Sequence, residues 1–278
     1  MGRHWLEQGI DGWRLDVPVE VPSDFWVEFR KMVRSTNPEA WIVGEVWGDA
    51  TTWLQGEHFD GVMNYRLGWS SLCWAAGEML RRDYRNPEYP LDPLDGEALL
   101  TIWTTTRRSY RDVVNRAQMN LLDSHDVPRA LHSLSNDLAA LKLALLLLFL
   151  HPGAPCIYYG TEAALAGGPE PGPSGGPGPA CREAYPWDAP WTADLRPFIQ
   201  SLAALRGAHG GLRRNGLQWS AQGADVLVGV AEGLRVVINR SRSSPVPLTI
   251  EPGRSCVWTL GTVDSRGVGP QSAAVLGS

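Results

Sequence analysis

Lysine is nearly absent from this chain: Lys31 and Lys142 stand alone among 25 basic residues, and the rest are arginine. No function follows from that bias. A basic surface is lacking too. The net charge of -5 gives no electrostatic reason to expect nucleic acid or an anionic membrane as partner. Cysteine is scarce. Cys73, Cys156, Cys181 and Cys256 include no two at metal-ligand spacing, and four in 278 residues make no disulfide framework, so a reducing cytoplasm is the expected setting. The opening residues, MGRHWLEQGIDG, hold no apolar core of signal-peptide length. The most apolar run, LAALKLALLLLFL at 138–150, is shorter than the ~20 residues that span a bilayer, and Lys142 interrupts it. A deeply buried helix is expected there.

What is present fits a folded globular chain, with 44% hydrophobic and 20% charged residues. Strand-like and helix-like runs alternate over the first two thirds. Strands are expected at 12–17, 41–47, 61–65, 117–122 and 155–159. Helices are expected from about Ser23 to Val33, over 69–82, 98–110 and 137–150, and from about Leu195 to Arg206. Alternation of this kind implies parallel βαβ units. An open nucleotide-binding sheet would favour a glycine-rich loop after its first strand, and VPVEVPSD has no glycine. A (β/α)8 barrel is the stronger expectation. Polar residues rich in proline and aspartate at 83–96 and the glycine–proline stretch at 167–181 read as loops. Beyond about residue 211 the helical period disappears. Short β-like runs at 217–222, 225–230, 234–239, 245–250 and 256–260 read as a small antiparallel β-sandwich domain over 211–278, after a barrel portion over 1–210; residues 261–278 carry little signal.

Three expected strand ends carry acids: Asp16 after GWRL, Glu45 after WIVG and Asp126 after LLDSH. Asp16 and Glu45 are 29 positions apart, about one βα repeat, and Glu45 and Asp126 are 81 apart, about two repeats plus a loop. All three therefore reach the C-terminal face of one barrel, where the chemistry of such barrels is built. A retaining glycosidase needs one carboxylate as nucleophile and one carboxyl as acid, ~5 to 5.5 Å apart. Arg14 shares a strand side with Asp16 and would orient it. Glu45 lies between apolar Val43 and Trp47, a setting that suits a proton donor. His125 can donate a hydrogen bond to a sugar hydroxyl. Each signal has a plainer reading. Arg14 and Asp16 can be a rim ion pair, SHD can supply metal ligands, and most of Trp13, Trp47, Trp53, Tyr65 and Trp69 can be core. Trp47 and Tyr65, close to strand ends, are the better candidates to face a sugar.

Taken in order, the motifs resemble the α-amylase family of glycoside hydrolases. DGWRLDVP (11–18) resembles the family's fourth-strand segment, IVGEVW (42–47) the fifth, FDGVMNY (59–65) the sixth, LLDSHDVPR (121–129) the seventh and PGAPCIYYGTE (152–162) the eighth. CREAYPWD (181–188) and WLQGEHFDGVMNY (53–65) resemble the neopullulanase and cyclomaltodextrinase branch. The resemblance implies Asp16 as nucleophile, Glu45 as general acid/base and Asp126 as transition-state stabiliser. It also implies that Arg14 orients Asp16 and that His125 holds a sugar hydroxyl. The implied activity is retaining cleavage of α-glucosidic bonds in α-glucans or maltooligosaccharides, with no cofactor for the chemistry. Some members hold structural calcium, for which the sequence shows no convincing site.

The family pattern has three barrel strands before the DGWRLDVP segment, and they are missing here. The expectation is therefore a C-terminal part of a longer enzyme, about strands four to eight, with two exposed sheet edges. Such a chain is expected to need a complementing N-terminal segment or self-association, and to be unstable or inactive alone. Rival readings are a transglycosylase or isomerase of the same family, a non-catalytic barrel kept for binding, and a metal-dependent barrel hydrolase.

Overall fold

The computed structural model describes residues 1–86, 88–170, 178–214 and 216–277. Helix α1 (Gly2–Glu7) leads into β1 (Gly12–Leu15), α2 (Ser23–Thr36), β2 (Trp41–Gly44) and β3 (Gly61–Asn64). Then come α3 (Tyr65–Ala76), α4 (Gly96–Ser109), α5 (Asp112–Arg116), β4 (Met119–Asn120), α6 (Ala130–Ser133), α7 (Leu138–Leu150) and β5 (Ala154–Pro155). The five strands pair in chain order, β1-β2-β3-β4-β5, every pair parallel. This is part of a (β/α)8 barrel, as the alternating pattern implied.

Observed strands are shorter than the apolar runs that announce them. Pro155 has no N–H to give, which limits the β4–β5 ladder. Pairing continues outside it through Ala154 N–H to the Gln118 carbonyl and Cys156 N–H to that of Asn120, at 2.8 and 2.7 Å. The helix expected at 69–82 instead starts at Tyr65 and ends at Ala76. Its start is set by Asn64, whose side chain accepts from the Leu67 N–H at 3.3 Å. Gly68 lets α3 lie directly on the segment after β4, since a Cβ there would stand 2.1 Å from the Leu121 carbonyl oxygen.

Helix α7 is the buried helix expected from its composition, and ten of its residues are buried. Asp137 caps it, accepting from the Ala139 and Ala140 N–H groups at 2.9 and 3.1 Å. Its far end is closed by Arg206, itself buried, which donates to the carbonyls of Phe149, His151 and Gly153. No helix among the described residues is long and apolar enough to cross a membrane.

Arg206 belongs to α8 (Arg196–Ala208), which is followed by α9 (Gly210–Arg214) and then strands only. These are β6 (Gln218–Gln222), β7 (Val226–Ala231), β8 (Leu234–Asn239), β9 (Ser255–Leu260), β10 (Val263–Asp264), β11 (Gly267–Val268) and β12 (Ser272–Gly277). Five form an antiparallel sheet in the order β6-β7-β8-β12-β9, and β10 pairs with β11. Side chains alternate between two packed faces. Leu227, Val236, Ile238, Ala273 and Val275 join the core shared with the barrel portion. Val226, Val228, Val237 and Ala274 form a second small core with Val268.

Two expectations fail here. Residues 245–250 form no strand; Val246 makes a single bridge to Val268, because Pro245 and Pro247 on either side offer no N–H. The tail read as signal-poor supplies β12, all six residues buried and paired with β8, five of them also with β9. Its polar alternation is missing because both faces are covered. Of the glycine–proline loop expected at 167–181, residues 171–177 lie outside the described residues. Its flanks are anchored: the Gly167 carbonyl accepts from the Arg129 N–H at 2.8 Å, and Cys181 is fully buried.

Candidate active site

Strand β1 ends at Leu15 and β2 at Gly44, and these two residues are register partners. Asp16 and Glu45 therefore occupy the next rung, beyond the C-terminal ends of adjacent parallel strands. The Glu45 N–H extends the ladder by bonding the Leu15 carbonyl at 2.9 Å. Arg14 reaches both acids. One guanidinium nitrogen is 2.5 Å from Asp16 Oδ1, and the other is 2.7 Å from Glu45 Oε1. The two carboxylates differ sharply in exposure, 75% for the Asp16 side chain against 2% for that of Glu45. Asp16 is open to an incoming molecule, whereas Glu45 is held by protein.

Glu45 has two further partners. Its Oε2 accepts from the Val17 N–H and its Oε1 from the Tyr65 hydroxyl, both at 3.3 Å. The Val17 contact depends on an unusual backbone. Val17 sits in the left-handed region at φ 36° and ψ 52°, a conformation that is strained for a β-branched residue. The turn sends the chain away immediately after Asp16 and aims the Val17 N–H at Glu45.

Tyr65, the first residue of α3, is buried, so it faces Glu45 rather than solvent. Trp47 stacks over it with ring centroids 4.1 Å apart and planes 10° apart. Trp47 is half-buried. Its backbone carbonyl accepts from the Tyr89 hydroxyl. Burial raises the Tyr65 phenol well above its ordinary range; the Ser124 hydroxyl lowers it, and the charges of Glu45 and Asp126 raise it further. The phenol thus stands within the fields of acids from β2 and from the segment after β4.

Asp126 lies in that segment. His125 Nε2 is 2.9 Å from its Oδ2, and Arg182 places a guanidinium nitrogen 2.6 Å from its Oδ1. The Arg182 Nε also donates to the His125 carbonyl at 3.0 Å. Behind them Asp123 is buried, accepting from the Ala130 N–H at 2.9 Å and from the Thr161 hydroxyl at 3.1 Å. Burial raises the Asp123 carboxyl despite those bonds and despite the nearby Arg129 charge. This buried pairing ties the DSHD segment to the segment that follows β5.

The structure joins Asp16, Arg14, Glu45 and Tyr65 by direct contacts, packs Trp47 on Tyr65, and brings Asp126 with His125 within the electrostatic range of Tyr65. Sequence reasoning missed Arg182, Tyr89 and Asp123. Arg182 and Asp123 stand inside quoted motifs, CREAYPWD and LLDSHD, but no pattern reported that the first loop folds back onto the second. Tyr89 lay in a loop with no periodic signal. Among the described residues no group of three His, Cys, Asp or Glu is arranged to hold a metal ion.

Acids gathered beyond the strand ends of parallel βα units place the chain among barrel proteins whose chemistry sits at the C-terminal face. The alpha amylase catalytic domain model matches residues 1–224, and the chain belongs to the α-amylase family. It is 39% identical over 212 residues to a cyclomaltodextrinase of a Bacillus species, covering 76% of this chain and 34% of that protein. It is 38% identical over 223 residues to neopullulanase 2 of Thermoactinomyces vulgaris, covering 80% of this chain and 34% of that protein. The debranching enzyme of Nostoc punctiforme superposes with a TM-score of 0.86 at 32% identity, over 100% of this chain and 60% of that one. The chain thus spans about a third of the length of these curated relatives.

Proposed function

We propose that the chain carries the catalytic acids of an α-glucan hydrolase that cleaves α-glucosidic bonds by retaining double displacement. The observation that carries this reading is the sharing of Arg14 between an exposed Asp16 and a buried Glu45. Asp16 attacks the anomeric carbon while Glu45 gives its proton to the departing glycosidic oxygen. A covalent glucosyl ester on Asp16 results. Glu45, now ionised, takes a proton from water, whose oxygen attacks the same carbon and releases Asp16. Charge moves from Asp16 to Glu45 and back, and Arg14 touches both, so one cation serves the ionised partner in each half-reaction. Asp126 stabilises the positive charge developing on the sugar ring, and His125 holds a hydroxyl beside it. Trp47 offers its free surface to the sugar, and Tyr65 supports Trp47 and Glu45.

Relatives named cyclomaltodextrinase and neopullulanase support an α-glucan or maltooligosaccharide as substrate. The proposal includes a division near residue 210, where α8 and α9 give way to strands. It also includes a cytoplasmic location, supported by four free thiols. The β1 and β5 edges each pair on one side only among the described residues, and Trp5, Val17, Val19 and Phe25 are exposed around the β1 end. Further parallel strands, from this or another polypeptide, are proposed to cover them.

The test is chromatography of sugars released from maltotriose and from β-cyclodextrin by the chain and by Asp16→Asn. The chain, alone or with a polypeptide supplying the remaining strands, is expected to release shorter sugars, and the variant none. Equal turnover by the variant would refute the assignment.

A further inference from the structure

A cavity of about 560 Å³ lies where α4, α5, the segments entering β4 and β5, and β6 meet. Gln118 and Pro152 line it from strand starts, whereas the carboxylates stand beyond strand ends. The volume is in the range of small-ligand sites.

Its polar lining is specific. Gln118 is 3% exposed, and its Oε1 accepts from the Val62 N–H at 3.0 Å, which fixes how the amide is turned. The Gln118 Nε2 then has no hydrogen-bond partner. A buried donor left without a partner is unfavourable, and an acceptor placed in the cavity would satisfy it. His151 supplies the opposite function. Its Nδ1 donates to the Leu147 carbonyl at 2.9 Å, which leaves a lone pair on Nε2. Burial holds the imidazole at about 4, so the ring is neutral near pH 7. Aromatic surface completes the lining: Trp103 and Trp219 lie 5.7 Å apart, their planes inclined at 58°. Arg107, Arg108 and Asp112 also line the cavity.

This combination selects by chemistry. An apolar molecule would leave Gln118 unpaired, and the His151 Nε2 calls for a donor. A neutral polyol supplies acceptors for Gln118, donors for His151, and, when it is a pyranose, an apolar C–H face for an indole. We infer that the cavity is a second carbohydrate site that takes a glucosyl unit of an α-glucan, separate from the carboxylates. The inference rests on the α-glucan reading for its choice of sugar.

The experiment is titration of the full chain, carrying Asp16→Asn so that sugar is not consumed, with maltotriose. Binding is read by calorimetry and by the side-chain amide resonance of Gln118. Two classes of site are expected, with the Gln118 resonance moving as one of them fills. Adding Thr104→Trp, which places an indole on the cavity wall, is expected to weaken that class at least tenfold and leave the other. Binding that Thr104→Trp does not alter, with an unmoved Gln118 resonance, overturns the inference. If Thr104→Trp does not fold, the resonance in the Asp16→Asn chain decides alone. Maltotriose that shifts Gln118 while the unsubstituted enzyme proves inactive would sink the catalytic reading and keep this site; hydrolysis with an unmoved Gln118 would do the reverse.

Discussion

His151 makes stability depend on pH over a defined window. The ring packs 4.2 Å from Trp103 and 6.0 Å from Trp219, and burial lowers its pKa from 6.5 to about 4. An unfolded chain therefore takes up the proton at higher pH than the folded one. The stabilisation is fully present above about pH 6.5 and falls as the pH drops, until both states are protonated below about 4. At 1.36 kcal/mol per pH unit the gap is worth about 3 kcal/mol. Because the residue is partly exposed, that figure is discounted to ~2 kcal/mol. Urea unfolding of the chain and of His151→Phe at pH 7, 5.5 and 4.5 isolates this quantity, since all other titrations are common to both. The variant loses the bond to Leu147 at every pH, which displaces its curve by a constant. The two curves are expected to converge by ~2 kcal/mol between pH 7 and 4.5. Parallel curves would show that the histidine takes up its proton alike in the folded and unfolded chains, and the argument would fail.

Arg14→Met removes the donor that Asp16 and the buried Glu45 share and is expected to cost about 1–3 kcal/mol, non-additively with Glu45→Gln; strictly additive losses in urea unfolding would exclude the shared pairing. Arg206→Leu leaves three carbonyls at and just beyond the end of α7 without that donor, for an expected loss of about 3 kcal/mol by the same assay. A loss under ~1 kcal/mol would mean that water replaces the guanidinium. Val17→Gly relieves the left-handed strain and is expected to add roughly 1 kcal/mol to stability. Freed backbone beside Asp16 should at the same time lower kcat for maltotriose. A stability loss would show that Val17 is not strained.

The parallel βα order, the buried helix at 138–150 and the acids at strand ends were legible in the sequence because each depends on local periodicity. A period of two, an all-apolar helix and a fixed repeat length survive without knowledge of neighbours. That is why Asp16, Glu45 and Asp126 stand out as candidates in the sequence, and why the family was legible there. Strand lengths were misjudged because an apolar run continues past the point where a partner backbone ends. Residues 245–250 looked like a strand until two prolines were set against the ladder they would have to join. Residues 272–277 looked empty because a strand covered on both faces loses the polar alternation that announces one. Composition and chain order thus determined what kind of protein this is and which acids it brings forward. Only the tertiary structure decided that Arg14 touches two of those acids at once, that Tyr65 is buried beneath Trp47, that Arg182 returns to Asp126, and that Gln118 keeps an unpaired donor. Each of these joins residues distant in sequence or depends on how a neighbouring chain segment packs, and no local pattern encodes such a meeting.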